Sequence, residues 1–389
     1  MLTAALMRWR RMLIAVAIAV ALAIPAWGQE SRAIAIGPYV QNVSPNMATI
    51  CWATATGQVT YAKAGADSVT VTEYQYHSIV LRNLEPATTY SYEVPGGGSD
   101  VARGVFTTVP SGEHPFTFMV LGDTQSRDNP GHRGIVERII AGKPDLVFNT
   151  GDLVSDGRNI GDWENFFGIE RDLMRSVPYY PALGNHEKHS SAYLSFFALP
   201  GNECYYSFDR GAAHFVVLDT PGPYPEETNS AATPQQNARF AESREQYWQR
   251  QMEWLREDLA ASRGAKYVFV FFHYPPYSAL ARAVAEARQM RERLGSVFQD
   301  YTVSAVFSGH DHNYHRAVAG GVQFVVAGVS GGRPRPVDAP QPESVKYVSA
   351  VTFVQVDVRP DRAAARVVDI DGKVIDEFEM LPRAALSIQ

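Results

Sequence analysis

The stretch FTFMVLGDTQ (116–125), read with GIVERIIAG (134–142) and DLVFNTGDLV (145–154), decides the fold. The first and third segments are continuous apolar runs of strand length, each ending in Gly-Asp, and the second places Ile135, Ile139 and Ile140 at helical spacing. Strand, helix, strand in that order is a βαβ unit. The same texture returns in ALGN (182–185), HFVVLDT (214–220), KYVFVFFH (266–273), VSAVFSGH (303–310) and VQFVVAG (322–328), with a helix expected from about Ala241 to Ser262. Such alternation predicts an α/β domain whose sheet is covered on both faces by helices. Near the end, AVTFVQVDV (350–358) and ARVVDID (365–371) alternate polar and apolar residues instead, which predicts antiparallel edge strands closing the domain.

Upstream the pattern changes. From Ala33 to Thr108 short strands are separated by turns: ATICWAT (48–54) puts Ile50 and Trp52 on one face, and TTYSYEV (88–94) does the same for Tyr90, Tyr92 and Val94. This predicts a small all-β sandwich, with GGGS (96–99) as a hairpin loop. The segment from Val109 to Pro115 reads as a linker, giving a β domain over 29–108, a larger domain over 116–382 and a tail over 383–389. Pro221 to Phe240 is a polar insertion with four prolines, a mobile surface loop or a lid.

Arg8, Arg10 and Arg11 precede an apolar run from Met12 to Ile24, followed by Pro25, Ala26, Trp27 and Gly28. That is the anatomy of a cleavable signal peptide over 1–28, and it predicts a secreted or periplasmic protein with no membrane span after cleavage. An uncleaved anchor with Trp27 at the interface is the alternative. With 46% hydrophobic and 20% charged residues the 389-residue chain has ordinary globular composition, and its net charge of −6, without blocks of like charge, leaves no nucleic-acid footprint. Small molecules are the expected partners. Cys51 and Cys204 are too few and too far apart for a disulfide framework.

Each apolar strand is followed by a group that can bind a cation: Asp123 and Gln125, then Asp152, then Asn185 and His186, then His273, then His310 and His312. In open α/β folds the loops beyond the carboxyl ends of the strands gather on one side, so these side chains can meet. Taken singly, a Gly-Asp is more often a turn or cap and a histidine after an apolar run more often a core residue. Their joint recurrence at strand ends argues for a site. Oxygen and imidazole donors without thiolate suit divalent Mn, Fe, Zn, Co or similar ions, and an aspartate between neutral donors can bridge two of them.

The order GD, GD, GNHE, H, GHDH resembles the calcineurin-like metallophosphoesterase superfamily. CYYSFDRGAAHFVVLDT (204–220), WLREDLAASRGAKYVFVFFHYPPYS (254–278) and SGHDHNYHR (308–316) look like its purple acid phosphatase branch, and LRNLEPATTYSYEV (81–94) resembles a fibronectin type III domain with Tyr90 as its structural tyrosine. The resemblance implies a sandwich of mixed sheets flanked by helices, preceded by that small β domain. It also implies two divalent ions, the first on Asp123, Gln125, Asp152 and His312, the second on Asp152, Asn185, His273 and His310. Asp152 would bridge, a hydroxide shared by the ions would attack phosphorus, and His186 would assist without binding metal. His189, Tyr277, His315 and Arg316 lie close to the motifs in sequence and are candidates to touch the substrate phosphate.

The implied substrate is a small phosphate ester, a monoester first; a phosphodiesterase or nucleotide pyrophosphatase uses the same metals, and loop contacts that no motif reports decide between them. A non-catalytic exported binding module is the reading from another class, and the complete donor set argues against it. Two departures bear on the chemistry. Gln125 stands where the superfamily usually has His, and Ser155 stands where purple acid phosphatases carry a metal-binding Tyr. Without a phenolate the first site favours a divalent ion, whose bound water has a pKa nearer about 7. The purified protein should therefore be colourless, most active at neutral to alkaline pH and stimulated by added Mn, Co or Zn. A visible spectrum and a pH series of turnover check this, and a purple preparation with an acid optimum would refute it.

Overall fold

The computed structural model describes residues 33–62, 68–96, 101–125, 130–222 and 234–383. The expected signal segment, 1–28, most of the GGGS loop, positions 223–233 of the proline-rich insertion and all but the first residue of the tail lie outside them.

Strands β1 (Ile34–Gln41), β2 (Met47–Ala62) and β3 (Ser68–Arg82) form one antiparallel sheet, and β4 (Thr89–Pro95) and β5 (Val101–Thr107) form a second. Alternation in β4 buries Tyr90, Tyr92 and Val94 against Ile50 and Trp52 of β2, as the period-two pattern requires. The Tyr90 hydroxyl accepts the Glu85 backbone N–H at 2.8 Å, which fixes the turn before β4. At 16 and 15 residues, β2 and β3 exceed the short strands expected, because they pair along their length as one hairpin. The other face of this sheet is apolar too: Ile36, Tyr39, Cys51 and Ala53 join the core of the larger domain, where the Tyr39 and Phe167 rings lie 5.0 Å apart.

The larger domain opens with β6 (Phe116–Leu121), β7 (Leu146–Asn149) and β8 (Tyr179–Pro181), separated by α1 (Pro130–Ala141) and α2 (Ile160–Met174). After the short α3 (Ser191–Phe196) come β9 (Tyr206–Arg210), β10 (Ala213–Val217), α4 (Pro234–Ala261), β11 (Tyr267–Phe271), α5 (Val284–Asp300) and β12 (Ala305–Ser308). The remaining strands are β13 (Tyr314–Ala319), β14 (Val322–Ala327), β15 (Ser344–Val348), β16 (Thr352–Val358), β17 (Ala363–Asp369) and β18 (Val374–Met380).

These strands build two mixed sheets, ordered β18-β17-β16-β6-β7-β8 and β15-β13-β14-β12-β11-β10-β9. The expectation of one sheet with helices on both faces is corrected in this respect: each sheet meets helices on one face and the other sheet on the opposite face. Strand β11 shows why the run reads as continuously apolar. Phe269 and Phe271 enter the cluster shared with the six-stranded sheet, while Val268 and Val270 pack with Leu255 and Leu259 of α4 and Leu294 and Val297 of α5. Between the sheets lies an aromatic layer. The Phe118 ring sits 5.0 Å from Phe269 and 5.5 Å from Phe215, and Phe148 stacks on Phe271 at 3.8 Å. Such pairs add about 0.5–1.5 kcal/mol each beyond area burial.

A second correction concerns β16 and β17. They are antiparallel as expected but interior, with β16 paired to β6 and the edge taken by β18. Alternation reports which faces are buried and is silent on whether both edges are hydrogen-bonded. Cys51 and Cys204 are free thiols, and burial pushes the Cys51 pKa up to about 12. No helix among the described residues is long and apolar enough to cross a membrane.

At the foot of the seven-stranded sheet, the buried His214 lies 2.7 Å from Asp209 and 2.8 Å from Asp258. Burial lowers its pKa, but the two carboxylates override that and hold it up at about 9. A folded-state pKa above the unfolded value, about 6.5, contributes stability that is complete below pH 6.5 or so and fades as pH rises through the folded value. The difference in urea midpoint between wild type and His214→Asn should therefore be largest near pH 6 and shrink markedly by pH 9.5. A difference that does not vary with pH would show that the carboxylates do not hold a charged imidazole.

Candidate metal centre

The parallel strands β6, β7 and β8 in one sheet, and β11 and β12 in the other, end at the same rim of the sandwich. The residues that follow them are Asp123, Asp152, Asn185, His273, His310 and His312. Four of these, Asp123, Asp152, His310 and His312, have φ between +50° and +71°, the left-handed region that non-glycine residues avoid. That strain is offset by close packing. A Cβ on Gly184 would come within 2.3 Å of the Asp152 N and Oδ1 atoms, and one on Gly309 within 2.6 Å of Asp123 Oδ2. Only glycine lets these turns approach the carboxylates, which is why the motifs read GN and GH.

The Asp152 carboxylate is the centre of the cluster. Its Oδ2 lies 3.2 Å from His273 Nε2 and 3.3 Å from Gln125 Nε2, while Oδ1 accepts the His186 N–H at 2.9 Å. One oxygen thus faces both halves of the proposed donor set. On the first side, His312 Nε2 is 3.1 Å from Gln125 Nε2 and 3.3 Å from Asp123 Oδ1. On the second, single ligand atoms of Asp152, His273 and His310 lie within 4.8 Å of one another, and Asn185 Oδ1 is 3.1 Å from His273 Nε2.

The ring nitrogens are sorted by their backbone partners. His273 donates Nδ1–H to the Thr150 carbonyl at 2.9 Å and His312 donates Nδ1–H to the Arg333 carbonyl at 3.3 Å, which turns each Nε2 lone pair inward. Inside, these lone pairs meet oxygens. With no cation between them, burial would lower the His273 pKa, but Asp152 raises it to about 10; burial would likewise raise Asp152, but His273 holds it at about 2. The Gln125 Oε1 atom is buried without a hydrogen-bond partner, and a half-turn of the amide presents it to the cluster in place of the nitrogen. Ring nitrogens and carboxylate oxygens crowded face to face, together with an orphaned amide oxygen, are what a divalent-cation site requires. The donor set fits.

His186 is placed differently. Its Nδ1–H is donated to the Ser155 carbonyl at 2.6 Å, and Nε2 stays 3.8 Å from Asp152 Oδ2 on a side chain that is 39% exposed. Of the candidate substrate contacts, His189 is tied to Asp219, 2.7 Å away, which outweighs burial and raises its pKa to about 10. The other three also find their partners away from the cluster. His315 is fully buried with Nδ1 3.3 Å from the Tyr277 carbonyl and Nε2 2.7 Å from Ser344 Oγ. Arg316 grips Asp376 through two nitrogens at 2.7 and 3.2 Å, and the Tyr277 ring lies under the Arg291 guanidinium.

Glu187, the last residue of GNHE and not among the expected site residues, is made central by the structure. Its fully buried carboxylate accepts N–H groups from Asp152, Leu153, Val154 and Gly184 at 2.7–3.2 Å, binding the β7 and β8 exit loops together. Burial, and then Asp152, push its pKa up to about 7. A glutamate set between a turn and an apolar region was the signal available. Glu286 of α5, 3.3 Å from His310 Nε2, had no such signal.

The model of the calcineurin-like phosphoesterase family matches residues 116–314. Phosphoenolpyruvate phosphatase of Allium cepa is 25% identical over 79% of this chain and 64% of its own length. Purple acid phosphatase 23 of Arabidopsis thaliana is 26% identical over 62% of this chain and 57% of its own. The chain thus spans less than two-thirds of the length of these curated relatives. In fold, a purple acid phosphatase from yellow lupin seeds superposes with a TM-score of 0.69 at 19% identity, covering 88% of this chain and 73% of that one.

Removing the Glu187 carboxylate would strand four buried N–H donors. Glu187→Ala should lower the unfolding free energy of the metal-free protein by at least about 3 kcal/mol, with Glu187→Gln, which keeps one acceptor, losing less. Urea denaturation measures both. A loss below about 1 kcal/mol in the alanine variant would mean the loops do not depend on this carboxylate.

Proposed function

The chain belongs to the calcineurin-like phosphoesterase family, and on that premise we propose that it hydrolyses phosphate esters, monoesters first, at a pair of divalent ions. The observation that carries this reading is the convergence on Asp152 Oδ2 of two donor groups, one on each side. Asp123, Gln125, Asp152 and His312 would hold one ion, and Asp152, Asn185, His273 and His310 the other. When bound, the ions supply a nucleophile available near neutral pH and positive charge for the phosphoryl oxygens.

The chain's own groups do the rest. Asp152 is kept ionised by its imidazole neighbours. Carbonyl acceptors hold His273 and His312 in the tautomer whose lone pair faces inward. His186 exposes Nε2 as its one uncommitted nitrogen, since Nδ1–H is given to Ser155, so a protonated ring can donate to the oxygen of the leaving group. A cleft of about 600 Å³ adjoins the first donor group, lined by Gln125, His312, Gly332, Arg333 and Arg335 among others. It has room for the organic part of an ester, and its arginines favour anions. The relatives' names support a monoester. The volume of the cleft, about 600 Å³, favours the second reading, a diester, because it has space for a second esterified group.

Wild-type protein loaded with Mn or Zn should release p-nitrophenol faster from p-nitrophenyl phosphate than from its bis-ester, and the opposite ranking selects the diester reading. Asp152→Asn should lose both ions on metal analysis and at least about 100-fold in turnover. Two ions retained in that variant would exclude the bridging role.

A further inference from the structure

His310 is the histidine whose imidazole is held from the side opposite to the other two. His273 and His312 are fixed through Nδ1 by backbone carbonyls. For His310 the contact is at Nε2, where Glu286 Oε2 stands 3.3 Å away. Nothing else about this residue is loose. Its backbone N–H points at both oxygens of Asp123, at 3.0 and 2.8 Å, and its carbonyl lies 3.4 Å from Arg335 Nη1. The Tyr274 ring meets the imidazole edge-on, centroids 4.7 Å apart at 88°, which fixes the ring plane. Among the described residues no hydrogen bond reaches either ring nitrogen, and the Glu286 carboxylate, at ion-pair distance from Nε2, is the acceptor nearest to hand.

We propose that Glu286 is the positioning residue of the second metal site: by accepting Nε2–H of His310 it selects the tautomer that leaves the Nδ1 lone pair facing Asp152 and His273. This rests on the dinuclear reading above and adds a residue, from a helix that otherwise only covers the sheet, that the motifs do not contain. Three observations support it. The atoms that converge within 4.8 Å belong to Asp152, His273 and His310, and Glu286, whose carboxylate stands at His310 Nε2, is not one of that group. Glu286 occupies the first turn of α5, where the backbone of a stable helix holds its Cβ in place and the positive end of the helix favours a carboxylate. And a carboxylate on the outer nitrogen makes an imidazole a stronger donor at the inner one, a partnership whose loss typically costs 10–100-fold in metal affinity.

The test is metal affinity, read by competition with a chelator, in wild type, Glu286→Ala, Glu286→Gln and Glu286→Asp, with Glu292→Gln on the exposed face of the same helix as control. Alanine removes the acceptor and should weaken the more loosely bound of the two ions by about 10–100-fold, leaving the other in place. Glutamine keeps an acceptor oxygen but not the charge and should lose less than alanine, aspartate should recover part of the loss, and the control should match wild type. The thermal midpoint of the metal-free proteins should be the same for all. Alanine without effect, or glutamine as damaging as alanine, would overturn the positioning role, the second outcome pointing to a carboxylate that binds the ion itself. If wild type takes up no second ion, the dinuclear reading falls and this inference with it; if wild type takes up two and alanine holds them equally well, only the inference falls.

Discussion

The structure depends on keeping the Asp152 carboxylate ionised where water hardly reaches it. At 2% exposure, next to an aspartate and a glutamate that are both fully buried, its charge would be prohibitively costly without compensation. Compensation comes in three forms. Imidazoles stand at its oxygens, backbone N–H groups are directed at it and at Glu187, and the donor geometry leaves room for cations. Glu187 answers the same constraint from behind: its buried oxygens accept the N–H groups of the loop that presents Asp152, so that two acids 35 positions apart are tied through one peptide N–H.

From this follows the shape of the scaffold. Carboxylates, amides and imidazoles from five strand ends can meet only if those ends share a rim, and parallel neighbours within each sheet deliver that. The two sheets must also keep their separation. Phe118, Phe148, Phe215, Phe269 and Phe271 fill the gap with large rigid rings, so loops leaving opposite sheets stay in register to within the tolerance a ligand set needs. The left-handed turns at Asp123, Asp152, His310 and His312 then aim side chains that relaxed turns would point elsewhere, and the strain is held by the surrounding hydrogen bonds. The small β domain contributes rigidity at a distance: its outer face is sealed into the same core through Tyr39, and Tyr92 reaches across to the Arg175 carbonyl at 2.8 Å.

Much of this was legible in the sequence, and for a physical reason. Continuous apolar runs report strands buried on both faces, and a Gly-Asp, Gly-Asn or Gly-His after each run reports a tight turn that carries a donor. Those are local properties, so Asp123, Gln125, Asp152, Asn185, His273, His310 and His312 could be read one segment at a time, and the structure brings them together. Adjacency to a motif was a poorer guide. His315 and Arg316 follow GHDHNY within a few residues, yet a strand alternates its side chains, and β13 turns both into packing against Ser344 and Asp376.

What the sequence by itself determined is the set of elements and the chemical kind of group at each strand end, because hydrophobic period and turn chemistry act over a few residues. What only the tertiary structure decided is which surfaces and edges meet. The second sheet that takes the place of a helix layer, the interior position of β16, the tie from Glu187 to four backbone amides, and the approach of Glu286 to His310 across 24 positions of chain are all long-range pairings. No local pattern encodes them, since the free energy that selects them is gained only when distant buried surfaces and unpaired polar groups are satisfied together.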